Sequence, residues 1–172
     1  AAAYFAAHAE EWDFLRSLHV ADSEVEAKIA QILHSAPLGR VLDVGTGTGR
    51  IVELFAESAS HFVALDNSPE MLRLARAKIA NFSADIASKV EIKLGDFNML
   101  PVGDGEFDTV IFHQVLHYAQ DPEAVIAEAI RTIADDGRLV IVDFAAHDHE
   151  DLRTVHAHAR LGFTDEFMRN AF

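Results

Sequence analysis

The chain is 172 residues long, half of them apolar, with 14 Lys and Arg against 28 Asp and Glu and a formal net charge of −14. That length suits one domain able to bury roughly two thirds of its unfolded surface, and the charge is wrong for docking on phosphate backbones by counterion release, which argues against nucleic acid as a direct partner. Cysteine is absent, which removes disulfides, thiolate metal sites and thiol nucleophiles together, and no apolar run approaches the roughly 18 residues of a membrane span, so a cytoplasmic protein that touches no membrane is expected.

The chain opens on Ala1 in a segment that already reads as the middle of a helix, so something is expected to precede it. Over residues 4–18, Phe5, Ala9 and Trp12 recur at helical spacing and form one apolar stripe. Ser23-x-x-Glu26 reads as a capping box ahead of Val25, Ile29, Ile32 and Leu33, a helix that Pro37 ends. A short apolar strand over 40–44 follows and closes on Asp43-Val44. Gly45, Gly47 and Gly49 then alternate with threonines before an amphipathic helix over 48–58.

A second apolar strand, 61–66, closes on Asp66, and Ser68-Pro69 opens a helix carrying Met71, Leu72, Leu74, Ala75 and Ile79. Residues 90–94 alternate apolar with charged and predict an edge-like third strand, from which Gly95-Asp96-Phe97 turns away. The fourth strand, 107–112, is almost continuously apolar, as a strand buried on both faces should be, and its exit is His113-Gln-Val-Leu-His117-Tyr118. Asp121-Pro122-Glu123 starts a helix reaching about residue 134, Asp135-Asp-Gly137 closes it, and 138–144 is the fifth strand. Asp148 is placed to cap a helix through Arg160, and Thr164 a last short one.

The glycine turn carries the chemistry. Glycine lets the chain take positive φ and lets a ligand lie on bare backbone, with the free N–H groups of the following helix turned toward it. Asp66 follows Asp43 by 23 residues, close to the offset of about 20 expected for a ribose-binding acid on the neighbouring parallel strand. A dinucleotide fold wants G-x-G-x-x-G and a pyrophosphate at the helix start; here the spacing is G-x-G-x-G, with an acid two residues before the first glycine. A carboxylate there repels a pyrophosphate and suits an ammonium group. S-adenosylmethionine (SAM), with an ammonium, a sulfonium, a ribose diol and no phosphate, fits that rim; a nicotinamide-dependent oxidoreductase is kept as the control reading.

Asp43-x-Gly45-x-Gly47-x-Gly49, Asp66-Asn-Ser-Pro-Glu-Met71-Leu, Gly95-Asp96-Phe97 and Phe107-Asp-Thr-Val-Ile-Phe-His113 resemble the successive motifs of class I SAM-dependent methyltransferases. More narrowly, His113-Gln-Val-Leu-His-Tyr118, Val142-Asp-Phe-Ala-Ala-His-Asp148 and His156-Ala-His-Ala-Arg-Leu-Gly-Phe163 resemble the methyltransferase-like domain fused to ArsR-type winged-helix regulators. The resemblance implies an α/β, Rossmann-like fold with a parallel sheet in the order 3-2-1-4-5 flanked by helices. It implies a helical cap over 1–36 and a SAM-binding core over 37–172, with S-adenosylhomocysteine (SAH) as product.

By the same resemblance, Asp43, Gly45, Thr46, Gly47 and Gly49 form the cofactor cradle, Asp66 holds the ribose and Asn67 and Met71 line the adenine slot. Asp96 accepts the adenine amine, Phe97 stacks beside the ring, and His113 stands at the methyl end. The opening helix covers the pocket, with Tyr4 and Trp12 as lid contacts; an ordinary packing stripe is the alternative for Trp12. The family's sheet also ends in two further strands, for which residues 145–172 hold no β-branched run. Either a longer protein or a neighbour such as a second copy, giving a homodimer, is expected to cover the fifth strand.

Methyl transfer asks mainly for alignment, and a general base helps only where the acceptor must lose a proton. His113, first off the fourth strand, is the better-placed base; His117 lies a helical turn later and also reads as packing with Tyr118. Ten histidines invite a metal reading, yet His147 and His149, like His156 and His158, are two apart and point to different sides of a helix, so no metal site is expected. Two functions stay open. One is methyl transfer from SAM to a small-molecule acceptor; the other is SAM or SAH sensing for an upstream winged-helix DNA-binding domain.

Overall fold

A computed structural model describes residues 2–13, 22–145, 159 and 162–171. Five strands, β1 (Arg40–Val44), β2 (His61–Asp66), β3 (Val90–Leu94), β4 (Phe107–His113) and β5 (Ile133–Val142), pair in parallel in the order β3-β2-β1-β4-β5. The order reverses between β1 and β4, which leaves a crevice at their carboxyl ends. The two central expectations, 40–44 and 61–66, match the observed strands residue for residue.

Helices cover both faces. They are α1 (Ala2–His8), α2 (Asp22–Leu33), α3 (Arg50–Phe55), α4 (Pro69–Ile79), α5 (Ala84–Ala87), α6 (Pro122–Arg131) and α7 (Asp165–Asn170). The period-2 alternation of β1 divides the core: Val41 faces Ile29 and Leu33 of α2 and Ile51, Val52 and Phe55 of α3, while Leu42 and Val44 face Val125, Ile126 and Ala129 of α6. Phe55, Phe62, Phe107 and Phe112 are fully buried, each worth about 1.5 to 3 kcal/mol in apolar area removed from water.

Local chemistry sets the helix starts. Ser68 accepts the Met71 N–H and Asp121 the Ala124 N–H, each ahead of a proline at the first helical position. Thr164 caps α7 through the Phe167 N–H. The capping box expected at Ser23 is not formed, because α2 already begins at Asp22 and Glu26 turns away to Arg50, whose Nε and Nη2 it takes at 2.6 and 2.8 Å. The helical segment expected over 4–18 is interrupted: α1 stops at His8, whose ring Nδ1 pairs with the Tyr4 carbonyl at 2.8 Å, and a 3-10 turn over Ala9–Glu11 leads into Trp12 and Asp13, which are helical again, while residues 14–18 fall outside the described residues.

The fifth strand also departs from expectation. α6 ends at Arg131, Phe107 donates its N–H to the Thr132 carbonyl, and Ile133 is already paired with Phe107 before Arg138 pairs with Thr109. Asp135-Asp-Gly137 is therefore a bulge inside β5, with Asp136 at φ 63°. Among the described residues no strand lies outside β5, whose Leu139 to Val142 are half-buried. Just beyond it, Phe163 donates its N–H to the Phe144 carbonyl at 2.9 Å and buries its ring in the core, so part of the chain's end does lie against that margin. The helix expected from Asp148 to Arg160 falls outside the described residues, apart from Ala159. No helix among the described residues is long and apolar enough to cross a membrane.

Arg138 of β5 ties the C-terminal end of α2 to the sheet. Its Nη2 donates to the Leu33 and Ala36 carbonyls at 2.6 and 3.1 Å, its Nη1 to the Ile32 carbonyl at 3.3 Å, and its Nε to Thr109 Oγ1 at 3.3 Å. A cation thus satisfies carbonyls that the end of α2 leaves open. Arg138→Ala is expected to lower stability by about 2 kcal/mol, with a fall in Tm of about 4 to 8 °C; urea and thermal unfolding would measure it, and an unchanged midpoint would show that these carbonyls are served equally well by water.

Candidate functional site

β1 ends in Asp43-Val44 and turns through Gly45-Thr46-Gly47-Thr48-Gly49 into α3. Gly45 and Thr46 both donate their N–H groups to the Leu65 carbonyl at 2.8 Å, pinning the turn to the tip of β2. Two glycines show why the turn needs them. At Gly47 (φ 57°) an added Cβ would stand 3.4 Å from Trp12 Nε1, so the missing side chain keeps the space between turn and indole open. At Gly49 (φ 89°) it would stand 3.3 Å from Ala75 Cβ, so this glycine serves the close approach of α3 to α4.

Asp66 is oriented by backbone. Its Oδ2 accepts the Gly47 N–H at 2.8 Å and its Oδ1 the Ser68 N–H at 3.0 Å, leaving each oxygen a further lone pair. Burial raises its pKa, and the N–H groups of Gly47, Ser68 and Asn67 work against that rise.

Asp43 is fully buried and, among the described residues, neither of its oxygens has a hydrogen-bond partner; nor does Thr46 Oγ1. Burial pushes its carboxyl up to about 7, with the Asp66 carboxylate adding to the rise; the Thr46 hydroxyl is near enough to work the other way without reaching hydrogen-bond geometry. Stranding a carboxylate without partners in a protein interior is costly. The sign for the ligand-free protein follows: the protonated form is the one folding favours, so this contribution is present below the ordinary carboxylate range and is lost as pH rises through about 7. A cationic or hydrogen-donating ligand would remove the penalty.

Both carboxylates face one cavity of about 310 Å³, a size suited to a small ligand. Of the expected residues, Asp43, Gly45, Thr46, Gly47, Asp66, Asn67, Met71, Phe97 and His113 line it. Arg50 is on the wall too, but Glu26 and Glu53 take its guanidinium, at 2.6 and 2.8 Å for the first and 2.9 Å for the second, so its charge is already answered.

Three expected residues are not among those lining the cavity. Gly49 stands behind the turn against Ala75, as its packing requires. Asp96 is exposed and closes its own turn, accepting the Asn98 N–H at 2.7 Å and the Asn98 side-chain amide at 2.8 Å, while its neighbours Gly95, Phe97 and Asn98 reach the wall. His117 is 1% exposed and bonded through Nδ1 to Asp143 at 2.7 Å, its ring 4.1 Å from Tyr118 and 5.1 Å from Phe144. It packs as a buried residue hydrogen-bonded to Asp143 and is not among the residues that line the cavity.

The opening segment supplies what the sequence left undecided. Trp12 lies over Gly47 and lines the cavity; Tyr4 does not line it and stacks on His8 at 4.3 Å. Phe5, unassigned from the sequence, reaches the wall and meets Tyr118 edge-on at 4.9 Å. Its spacing from Trp12 on the apolar stripe was the one available signal. Asp13 anchors the segment: it accepts the Thr48 hydroxyl at 2.6 Å and Lys78 at 2.9 Å, and Glu10 pairs with Arg73. Gln114, Val115, Tyr118 and Gln120 complete the β4 side. Burial, with Tyr4 and Asp143 adding, holds the Tyr118 phenol above its usual range, so it stays protonated. No cluster of three metal-type side chains occurs among the described residues; the histidines at 147, 149, 156 and 158 lie outside them.

A methyltransferase-domain family matches residues 36–166. An uncharacterised 37.1 kDa protein in transposon TN4556 of Streptomyces fradiae is 32% identical in a 170-residue alignment that covers 94% of this chain and 48% of that protein. Demethylmenaquinone methyltransferase of Renibacterium salmoninarum is 30% identical over 128 residues, 74% of this chain and 51% of the enzyme. Among solved structures, the DhpI–SAH complex has a TM-score of 0.68 at 28% identity, over 86% of this chain and 68% of that one. The chain spans about half the length of the curated relatives it matches. The family match takes in the sheet, the glycine turn and both carboxylates together, and the chain therefore belongs to the class I SAM-dependent methyltransferases, whose cofactor is S-adenosylmethionine.

Proposed function

We propose that this chain serves methyl transfer from SAM to a small-molecule acceptor, with residues 1–36 acting as a cap on the core that follows. The observation that carries the reading is Asp43, a buried carboxylate with neither oxygen hydrogen-bonded among the described residues, at the wall of a cavity floored by bare glycine backbone. The residues present fit the cofactor. Asp43 with the Thr46 hydroxyl matches an ammonium, and the remaining lone pairs of Asp66 match a ribose diol. Met71 and Phe97 offer apolar surface for a base. When bound, the cofactor supplies a methyl group already activated on a sulfonium, so the protein's part is to align and to exclude water.

His113 is the only histidine on the cavity wall among the described residues and is the base we assign where the acceptor must lose a proton. Tyr118, kept neutral by its burial, donates a hydrogen bond without competing for that proton. The curated enzyme reported above is named a methyltransferase, which supports transfer over ligand sensing for an attached regulator. Calorimetric titration with SAM, SAH and NAD, followed by release of labelled methyl to a panel of acceptors, tests the reading. NAD binding without SAM binding would replace it with the oxidoreductase, and tight SAM binding with no transfer would turn it toward a sensor.

Asp66→Ala is expected to weaken SAM binding by about 1.5 to 3 kcal/mol through loss of charge-assisted hydrogen bonds; unchanged calorimetric affinity in a folded variant would remove Asp66 from the site. Gly47→Val should abolish binding, since the branched side chain would enter the gap below Trp12 at a backbone φ of 57° that it strains to adopt. Retained affinity there would tell against the turn as cradle. Because the cation selects the ionised form of Asp43, SAM affinity should fall by up to about tenfold per pH unit below pH 7, and Asp43→Asn should flatten that part of the profile. A wild-type profile that is level through this range would show that Asp43 does not meet the ammonium.

A further inference from the structure

We propose that Gln114 reads the methyl acceptor, and that the acceptor it admits is an uncharged molecule with a hydroxyl on a planar ring, a phenol in chemical class. The inference rests on the SAM reading above. The two carboxylates and the glycine turn occupy the β1 and β2 side of the cavity, which leaves the β4 side, with Phe5, His113, Gln114, Val115 and Tyr118, for the second substrate.

Gln114 stands out there on two counts. Its backbone sits at φ 56°, in the left-handed region that glycine and asparagine tolerate and that a residue with a longer side chain rarely adopts. It is pinned in that state by its own N–H, which donates to the Val142 carbonyl of β5 at 2.6 Å. Glycine would relieve the strain, so a glutamine kept at such a position on a cavity wall points to a use for the side chain. Gln114 lines the cavity, and its carboxamide hydrogen-bonds to nothing among the described residues.

The chemistry of the wall narrows the ligand. A carboxamide offers one acceptor and two donor hydrogens, which matches a hydroxyl that both gives and takes a hydrogen bond. Asp43 and Asp66 share the cavity, and the single Arg among the described residues on its wall is already engaged by two glutamates, so an anionic acceptor meets repulsion with no free guanidinium among those residues to answer it. Phe5 and Tyr118, edge to face at 4.9 Å, with Val115 beside them, give an apolar border suited to a flat ring.

The test is calorimetry on the SAH-saturated protein with three matched probes, 1-naphthol, 1-methoxynaphthalene and 1-naphthoate. In the wild type, 1-naphthol should bind about tenfold more tightly than either of the others, and Gln114→Ala should bring it down to the level of 1-methoxynaphthalene. Gln114→Asn, which tolerates the same backbone and keeps a shorter carboxamide, should retain part of the preference. Gln114→Gly should raise Tm by about 2 °C while losing the preference, the signature of strain held for a ligand. Equal binding of 1-naphthoate and 1-naphthol, or an undiminished preference in a Gln114→Ala variant that still titrates with SAH, would overturn this assignment alone. Failure of the wild type to bind SAH would overturn it together with the methyltransferase reading.

Discussion

Two carboxylates buried at the tips of adjacent parallel strands set the terms for the rest of this structure. Asp66 is tolerable there because the N–H groups of Gly47 and Ser68 are aimed at it. Asp43 has no such relief, and burial holds its proton on up to about pH 7. An apolar residue at the end of β1 would be cheaper for folding, so the stability forgone at this position is the physical sign of a site. Pinning Gly45 and Thr46 to Leu65 keeps the turn, and with it both acids, at one rim.

Around that rim the surroundings work to hold negative charge in and phosphate out. Arg50, at the start of α3, is turned outward into a bidentate pair with Glu26 of α2, which binds helix to helix while cancelling the one strong cation that the described residues place on the cavity wall. The opening segment is held as a strap at both ends of its reach: Phe5 leans on Tyr118, and Asp13 bridges Thr48 of the glycine turn and Lys78 of α4. Exposed ion pairs contribute little each. A carboxylate shared between a hydroxyl and an ammonium nevertheless sets where Trp12 lies, and Trp12 closes the space above Gly47.

Much of this was legible beforehand because it rests on local rules. Strands that end in an acid before glycines, helices opened by Ser-Pro and Asp-Pro, and an edge strand that alternates apolar with charged all appear where composition and period put them. The errors have a common cause. Glu26 looked like half of a capping box until an arginine 24 residues away claimed it, and Asp135-Asp-Gly137 looked like a helix stop until pairing with Phe107 carried the strand through it as a bulge. Asp96, expected at the adenine amine, closes a turn on Asn98, and of the two readings open for His117 the pairing with Asp143, 26 residues on, matches packing beside Tyr118. A side chain with several plausible partners is decided by which one tertiary packing brings within reach.

The sequence by itself determined the sheet, the order of its strands through the family motifs, and the pair of acids flanking a glycine turn, since each depends on residue type and spacing along a few neighbouring positions. Tertiary structure alone decided which aromatic residues of the opening segment line the cavity, that Gly49 serves helix packing instead of the cavity, and that Gln114 stands on the wall in a left-handed conformation. Those outcomes turn on contacts between segments far apart in the chain, Trp12 with Gly47 and Gln114 with Val142, and nothing in the local pattern of either partner specifies the other.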